Sequence, residues 1–167
     1  MKAVIIGRNG QVAWELQQSV PANIETLVLG SSDIDILDFD ALSLKISQFE
    51  PDVIINASAY TAVDKAETDI EAAYAINELA VKYLAQIAKS LDCRLLHIST
   101  DFVFDGKKNT AYTIDDETNP LGVYGASKLA GEKAIQSIYP VNSAIVRTSW
   151  VYSSHGNNFV KTMLRLM

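Results

Sequence analysis

Tyr124 and Lys128, in the run Val-Tyr-Gly-Ala-Ser-Lys at positions 123–128, have the residue types and the spacing of a proton-transfer site. Residues four apart on a helix lie on one face, one turn from each other. A free tyrosine hydroxyl titrates near pH ~10, and a lysine cation beside it favours the phenolate. We therefore expect Lys128 to lower the pKa of Tyr124, so that the tyrosine can protonate a carbonyl oxygen while hydride arrives at its carbon. Because this spacing also occurs by chance in many helices, the interpretation depends on the elements that position the pair.

A glycine turn at the start of the chain is typical of a dinucleotide-binding site. A short apolar strand over Lys2–Ile6 leads into Gly7 and Gly10, and a helical pattern that includes Val12 follows. Gly7 would allow the tight turn and Gly10 a close approach of the backbone to a pyrophosphate, next to the positive end of the helix. The spacing is G-x-x-G-x-x-A, with Ala13 as the third small residue. An ordinary glycine-rich turn is the alternative, but the preceding strand favours a cofactor site.

Strand-like and helix-like segments alternate along the chain. We predict strands over 2–6, 25–29, 52–56, 94–98 and 143–147, and helices after Gly10, over 40–49, 68–91 and 121–139, and from 158 onward. This alternation predicts an α/β domain over residues 1–167, with a Rossmann-like doubly wound parallel sheet and helices on both faces. The last helical pattern has no cap and no stop signal, so we expect a longer protein.

Composition argues against several classes of protein. The chain has 167 residues, of which 49% are hydrophobic and 20% charged, and its net charge of −6 without a basic run argues against a nucleic-acid partner. Its apolar runs are of strand length, so we predict no membrane span. Cys93 is the only cysteine, which fits a reducing, cytoplasmic setting. His97 and His155 lack the neighbours of a metal site, and we expect His97 to be a strand residue with a satisfied ring.

Polar side chains follow several of the predicted strands. In open α/β sheets, ligands bind beyond the carboxyl ends of the strands. We therefore expect Ser99 or Thr100 to hydrogen-bond a substrate oxygen beside Tyr124. The second strand has no acidic residue at its end before Asp33, and Arg8 in the glycine turn is placed to meet a 2′-phosphate. The sequence permits NADPH and does not exclude NADH, with a solvated surface charge as the alternative role for Arg8.

The combined motifs resemble the dTDP-4-dehydrorhamnose reductases, members of the extended short-chain dehydrogenases/reductases. The resemblance covers the whole chain in order, through residues 7–12, 56–67, 99–106, 123–132, 147–152 and 156–164. It implies reduction of the C4 ketone of dTDP-6-deoxy-L-lyxo-4-hexulose with NADPH or NADH. The product would be dTDP-L-rhamnose, a sugar donor for cell-surface polysaccharide. Family members run to nearly twice this length, so the rest of the substrate lobe would lie outside this chain.

The resemblance also implies roles for individual residues. Tyr124 would be the proton donor, Lys128 would lower its pKa and hold the nicotinamide ribose, and Thr100 would complete the triad. The remaining cofactor contacts would be Gly7, Gly10, Gln11 and Val12 near the pyrophosphate, Asp38 and Phe39 near the adenosine, and Ala59, Tyr60 and Thr61 along the rest of the cofactor. The sugar nucleotide would be bordered by Thr100, Asp101, Phe102 and Trp150. No metal ligands are implied.

The chain departs from the family pattern at two positions, and two alternative functions stay open beside this interpretation. Ala13 replaces the usual glycine, and Phe102 stands where tyrosine is common, which removes a hydroxyl near the substrate. One alternative is a sugar-nucleotide epimerase or dehydratase with tightly held NAD, which copurified NAD would reveal. The other is a non-catalytic regulatory subunit, against which the Thr100, Tyr124 and Lys128 set argues. We also expect self-association as a homodimer through an apolar face at Met163, Leu164 and Met167.

Overall fold

The computed structural model describes residues 1–167, which form a five-stranded parallel sheet with flanking helices. The strands are β1 (Lys2–Ile6), β2 (Glu25–Leu29), β3 (Val53–Asn56), β4 (Arg94–Thr100) and β5 (Ser143–Thr148). The helices are α1 (Gln11–Ser19), α2 (Phe39–Phe49), α3 (Val63–Ala66), α4 (Ile70–Tyr74), α5 (Ala80–Ser90), α6 (Val123–Ile138) and α7 (Phe159–Leu166). A π-helical turn, Ala75–Leu79, joins α4 to α5, and a 3-10 turn, Asp101–Val103, follows β4.

The strand order is β2-β1-β3-β4-β5, and every neighbouring pair is parallel. Because parallel crossovers are right-handed, the step from β1 to β2 puts α1 on one face, and the return to β3 puts α2 on the other. The connections from β3 to β4 and from β4 to β5 run in the same direction as the return to β3, so α5 and α6 lie on the face of α2. Helix α5 packs against both α2 and α6 there. The predicted doubly wound fold is confirmed. Its direction reverses between β1 and β3, which opens a crevice at their carboxyl ends.

The core lies between the sheet and the face that carries α2, α5 and α6. The strand residues Val4 and Ile54 are fully buried there, and on α5 the buried residues Val81, Leu84 and Ala88 recur at helical spacing. Burial of each large aliphatic side chain contributes about 1.5–3 kcal/mol. This packing fixes where the carboxyl ends of the strands, and the loops that follow them, must lie.

The predicted long helix over 68–91 is only partly right. The structure inserts the π-helical turn between α4 and α5, and it adds the short helix α3, which was not predicted. A π turn holds one extra residue, and here it directs the side chain of Asn77 into the protein, where it is fully buried. The strands agree with prediction within two residues, and β4 extends furthest beyond it, to Thr100.

The C-terminal helix α7 lies on the surface, and none of its residues is buried. Its apolar side chains Leu164 and Leu166 are mostly exposed. Helix length and hydropathy together rule out a membrane-crossing helix in the structure.

Candidate functional site

The glycine turn between β1 and α1 is held against the loop after β3. Gly7 has φ of +108°, and a Cβ atom there would lie 2.8 Å from the carbonyl of Ala57 and from the amide nitrogen of Ser58. Only glycine fits this close approach at this backbone conformation. The Gly7 N–H donates to Leu29 O at 2.8 Å, and the Gly10 N–H donates to Gly7 O at 2.8 Å. The turn is therefore built from backbone contacts with both neighbouring strands.

A cleft of about 640 Å³ opens above this turn, at the carboxyl ends of β1, β2 and β3. Gly10 lines this cleft and is the N-cap of α1, so the first N–H groups of the helix, which have no intrahelical partner, begin beside it. The predicted cofactor residues that line the cleft are Gly7, Gly10, Ala59, Tyr60 and Thr61. A further cleft of about 730 Å³ lies at the amino ends of the strands, away from the edge where open sheets bind ligands.

Besides Tyr124 and Lys128, which are described below, four of the predicted cofactor residues do not line this cleft. Gln11 and Val12 begin α1 beside it. Asp38 caps α2 by accepting a hydrogen bond from the Ala41 N–H at 3.0 Å, and Phe39 packs edge-on against Tyr83, with ring centroids 5.1 Å apart. The residues of the loop after β2 that do line the cleft are Gly30, Ser31, Ile34, Asp35 and Ile36.

Arg8 is neither a free surface charge nor an unengaged phosphate ligand. Its guanidinium donates to Val28 O at 2.6 Å and lies 3.0 Å from a carboxylate oxygen of Asp33. The same oxygen accepts a hydrogen bond from the Gly30 N–H at 2.8 Å. Arg8 and Asp33 thus form an ion pair at the end of β2, where both line or border the cleft.

A second cleft of about 480 Å³ lies beyond the carboxyl end of β4, lined in part by Asp101, Phe102 and Tyr124. Thr100, at the end of β4, accepts a hydrogen bond from the Phe102 N–H at 3.2 Å. The Phe102 ring packs edge-on against Tyr124, with centroids 5.6 Å apart. Trp150 does not line this cleft: it is 72% exposed and packs against the ring of Phe159 in α7.

The Thr100 side chain acts on the pKa of Tyr124, but Lys128 does not act on it as predicted. Burial raises the pKa of Tyr124, a hydrogen bond with the Thr100 side chain opposes the shift, and the charge of Asp101 adds to it. The expectation that Lys128 lowers the pKa of Tyr124 is therefore wrong for this structure. The physical reason is direction, because the Lys128 amine points into the core instead of toward the phenol.

The Lys128 side chain is 1% exposed and ends in a buried polar row. Its Nζ donates to Ile98 O at 2.7 Å and lies 3.2 Å from His97 Nε2. Burial lowers the pKa of Lys128 to about 8, and the charge of Glu132 opposes this. The ring of His97 is satisfied, as predicted, because its Nδ1 lies 3.1 Å from the amide nitrogen of Asn56.

Of the two hydroxyls predicted to meet substrate, that of Ser99 is engaged inside the protein. It donates to Glu132 on α6 at 2.5 Å. Arg147 on β5 binds the same carboxylate through two nitrogens, at 2.7 and 3.1 Å, and this hydrogen bonding raises the pKa of Arg147. The buried charge of Glu132 is thereby compensated, which leaves Thr100 as the hydroxyl next to Tyr124.

Asn77 supports both clefts and was missed by sequence reasoning. Its side-chain oxygen accepts from the Tyr60 N–H at 2.9 Å, and its amide nitrogen donates to Tyr60 O at 3.1 Å and to the Ser127 hydroxyl at 3.0 Å. The cofactor-side loop and α6 are thus held by one side chain. The signal in the sequence is an asparagine on the apolar face of the predicted helix. No cluster of three or more His, Cys, Asp or Glu side chains that could hold a metal ion is found.

Comparison with protein families gives one match over the whole chain. The family described as RmlD substrate binding domain matches residues 1–167. The chain is 45% identical over 166 residues to the dTDP-4-dehydrorhamnose reductase of Sinorhizobium fredii and 43% identical over 170 residues to that of Escherichia coli. Each match covers 99% of this chain and 56% of the relative, so the chain spans little more than half the length of the curated relatives that it matches.

Solved structures show the same relationship. The dTDP-4-dehydrorhamnose reductase of Clostridium acetobutylicum superposes with a TM-score of 0.94 at 42% identity, covering 99% of this chain and 59% of that one. The Bacillus anthracis enzyme, in complex with NADP, gives a TM-score of 0.95 at 36% identity with the same two coverages. The Bordetella bronchiseptica enzyme WbmG, in complex with NAD, shares the fold alone, at 20% identity, 88% coverage of this chain, 52% of that one and a TM-score of 0.73.

Proposed function

Because this chain belongs to the family of the RmlD substrate binding domain, we propose that it serves NAD(P)H-dependent reduction of the C4 ketone of dTDP-6-deoxy-L-lyxo-4-hexulose to dTDP-L-rhamnose. The observation that carries the proposal is the pair of clefts at one edge of the sheet. One lies over the glycine turn and the other contains Tyr124. This arrangement supports a cofactor on one side of the reacting carbon and an acid on the other.

The residues around the glycine turn fit a dinucleotide. A Cβ atom at Gly7 would fill the gap between β1 and the loop after β3, and a Cβ atom at Gly10 would lie 3.3 Å from Gly7 O. The N-terminus of α1 offers backbone N–H groups and a positive dipole end to a pyrophosphate. Asp38 and Phe39 follow the loop that lines the cleft, and we assign them to its outer, adenosine side. When bound, NADPH or NADH would supply hydride.

Tyr124 is the residue that we assign as the proton donor. Its raised pKa keeps the phenol protonated at neutral pH, as a donor to a developing alkoxide requires. Thr100 would hold the phenol and the substrate oxygen, and Lys128 would hold the nicotinamide ribose. Asp101, Phe102 and Trp150 would border the sugar nucleotide.

The first test is a titration of this chain with NADPH and with NADH, followed by nicotinamide fluorescence. We expect saturable binding of at least one of them at one site per chain. A Gly7→Ala variant is the negative control, because a Cβ atom at Gly7 would clash with the Ala57 carbonyl and displace the glycine turn. No binding of either nucleotide by a folded chain would contradict the proposal.

The second test addresses turnover, in a chain extended to the length of its relatives. Tyr124→Phe is expected to lower kcat at least about 100-fold, the usual scale of general acid catalysis, while the Kd for NADPH stays unchanged. Tyr139→Phe is the control, because the Tyr139 hydroxyl bonds to Asp92 at the other end of the sheet. Near-normal turnover of Tyr124→Phe would remove Tyr124 from the mechanism.

We also propose a cytoplasmic location and a homodimer. The free, buried thiol of Cys93 supports a reducing compartment. The exposed apolar side chains of α7, among them Leu164 and Leu166, support self-association through that helix. Light scattering of the purified chain tests the dimer, and Leu164→Lys is expected to shift it to monomer.

A further inference from the structure

A buried row of three polar side chains runs beneath the Tyr124 cleft, and only Lys128 among them has a role in the chemistry proposed above. Asn56 ends β3, His97 lies on β4 and Lys128 lies on α6, and all three are at most 1% exposed. Asn56 Nδ2 lies 3.1 Å from His97 Nδ1, and His97 Nε2 lies 3.2 Å from Lys128 Nζ. In such a row every contact needs one donor and one acceptor, so the positions of the protons can be worked out.

The orientation of the Asn56 amide is fixed by its other neighbour. Its Oδ1 accepts from the backbone N–H of Ser58 at 3.1 Å and from the Ser58 hydroxyl at 2.7 Å. A backbone N–H cannot accept a hydrogen bond, so the amide oxygen must face Ser58 and the NH₂ group must face His97. His97 Nδ1 is therefore the acceptor, and the proton of the neutral ring is on Nε2.

The consequence falls on Lys128. An Nε2–H group that faces Nζ needs an acceptor, and an ammonium group has three donors and no acceptor. A neutral amine satisfies both contacts, since its lone pair accepts from His97 while one of its N–H groups donates to Ile98 O at 2.7 Å. We propose that Asn56 and His97 are positioning residues that favour the neutral amine of Lys128, with its lone pair directed to the Nε2–H group of His97.

Burial acts in the same direction as this geometry. It lowers the pKa of Lys128 to about 8, and, together with the charge of Lys128 when that amine is protonated, it holds the pKa of His97 well below the ordinary value, so the ring stays neutral. Below that pH the amine takes up a proton and the ring proton must move to Nδ1, where it opposes the NH₂ group of Asn56. The row therefore resists protonation of Lys128.

The charged groups near the row do not reverse this preference. Glu132, one turn along α6, is the carboxylate whose charge acts on Lys128, but Arg147 and the Ser99 hydroxyl already bind it. From β3 the row receives only the uncharged Asn56. One turn before Lys128 on α6, Tyr124 keeps its proton because burial raises its pKa.

This inference deepens the role proposed for Lys128, and it rests on the proposed function only for its effect on turnover. Above about pH 8 the site holds a protonated Tyr124 and an uncharged Lys128, so the phenol keeps the proton that it is proposed to donate. The test measures proton positions without cofactor or substrate, so it can fail while the proposed function stands, and the reverse.

The experiment is NMR of the chain labelled with ¹⁵N in histidine and ¹³C at lysine Cε, from pH 7 to pH 10. The chain has two histidines, so His155→Gln assigns the His97 ring, and Lys128→Arg assigns the Lys128 signal. At the basic end we expect His97 to carry its proton on Nε2, and Lys128 to titrate well below the ordinary lysine value of about 10.4. A ring protonated on Nδ1 at the basic end, or a Lys128 midpoint at the ordinary value, would overturn the proposal.

Asn56→Asp tests the cause. A carboxylate can accept from Ser58 and from His97 Nδ1–H together, so the ring proton should move to Nδ1 and Nε2 should accept from a Lys128 cation. We expect the midpoint of Lys128 to rise by about one pH unit or more. Asn142→Asp, at the amino end of the sheet, is the control and should leave both readouts unchanged. If Asn56→Asp folds and its ring proton stays on Nε2, Asn56 does not set the tautomer; if it does not fold, the wild-type measurement decides.

Discussion

The two clefts at the carboxyl edge of the sheet are built in different ways. The cleft over the glycine turn is made mainly of backbone. The Ala57 carbonyl lies 2.8 Å from where a Cβ atom of Gly7 would be, and Asn77 binds both the N–H and the C=O of Tyr60. The region around Tyr124 is made of side chains, and two of those assigned to the sugar nucleotide, Phe102 and Trp150, are 52% and 72% exposed.

This difference between the two clefts indicates which ligand the chain is preorganised to bind. Backbone held by hydrogen bonds on two sides loses little conformational freedom when a ligand binds, whereas exposed rotatable side chains must be ordered at about 0.5–1.5 kcal/mol each. We therefore expect cofactor binding to be a property of this chain, and sugar-nucleotide binding to depend on further contacts. The cleft over the glycine turn is thus the rigid cleft of the two, and the π-helical turn with Asn77 supports it. Substitutions in these two places should have the largest effects, and substitutions in the buried row and at the exposed residues should have smaller effects.

The largest effect is expected at Gly7. Gly7→Ala places a methyl group 2.8 Å from the Ala57 carbonyl at a φ of +108°, so the turn must leave the loop after β3. Cofactor affinity should fall about 1000-fold, equivalent to about 4 kcal/mol, as measured by fluorescence titration. Gly106→Ala is the matched control, because Gly106 also has a positive φ, of +72°, but a Cβ atom there would have nothing within 4 Å. Equal losses in both variants would show that backbone strain, and not the close approach, matters.

Gly131→Ala should weaken the support that the two clefts share. A Cβ atom at Gly131 would lie 2.1 Å from Asn77 O, so α6 must move away from the π-helical turn. We expect a loss of about 2–3 kcal/mol in the free energy of unfolding by urea. Gly122→Ala is the control, since its Cβ would meet only the end of the flexible Glu67 side chain. A Gly131→Ala chain as stable as the Gly122→Ala chain would mean that the helices separate at little cost.

How far the sequence predicts this molecule depends on the range of the interaction. The strands, the glycine turn and the satisfied ring of His97 follow from local patterns, and all are found as predicted. The π-helical turn was missed because the spacing of apolar residues, at 3.6 residues per turn, does not reveal a single inserted residue. The direction of Lys128 was missed because it depends on His97, 31 residues earlier in the chain, and on the depth at which α6 packs. Local spacing placed Lys128 near Tyr124 but could not tell which way its amine points.

The buried row predicts a pH dependence of stability. The pKa of His97 is lower in the folded chain than in the unfolded chain, mainly because of burial. Below pH ~6.5 the unfolded chain therefore binds a proton that the folded chain does not, and stability falls as pH falls, by up to about 1.4 kcal/mol per pH unit from this group. Urea unfolding between pH 7.5 and 5.5 should show a shallower loss for His97→Gln than for the wild type. Parallel curves would mean that His97 takes up its proton equally well in the folded state.

The ion pair at the end of β2 offers a smaller, specific effect within the rigid cleft. Asp33→Asn removes the carboxylate that holds Arg8 at 3.0 Å and frees the guanidinium for a 2′-phosphate. Because partly exposed ion pairs contribute up to about 1 kcal/mol, the ratio of NADPH to NADH affinity should rise about fivefold or less. Asp35→Asn is the control, since Asp35 lines the same cleft without binding Arg8. A similar rise in both variants would indicate a general effect of charge.

The smallest effect is expected at Trp150, in the exposed region. Trp150 has φ of +52°, which is unfavourable for a bulky residue, and its ring packs edge-on against Phe159 with centroids 4.9 Å apart. Trp150→Ala loses the ring contact and keeps the strained backbone, whereas Trp150→Gly loses the contact and relieves the strain. Glycine also gains more entropy on unfolding, so the net advantage of Trp150→Gly should be only about 0.5 kcal/mol, measured by urea unfolding. Cofactor affinity should be the same in both variants, because Trp150 lies outside the glycine-turn cleft. If Trp150→Gly were the less stable variant, the backbone at this position would not be strained, and the contrast between the two regions would rest on exposure alone.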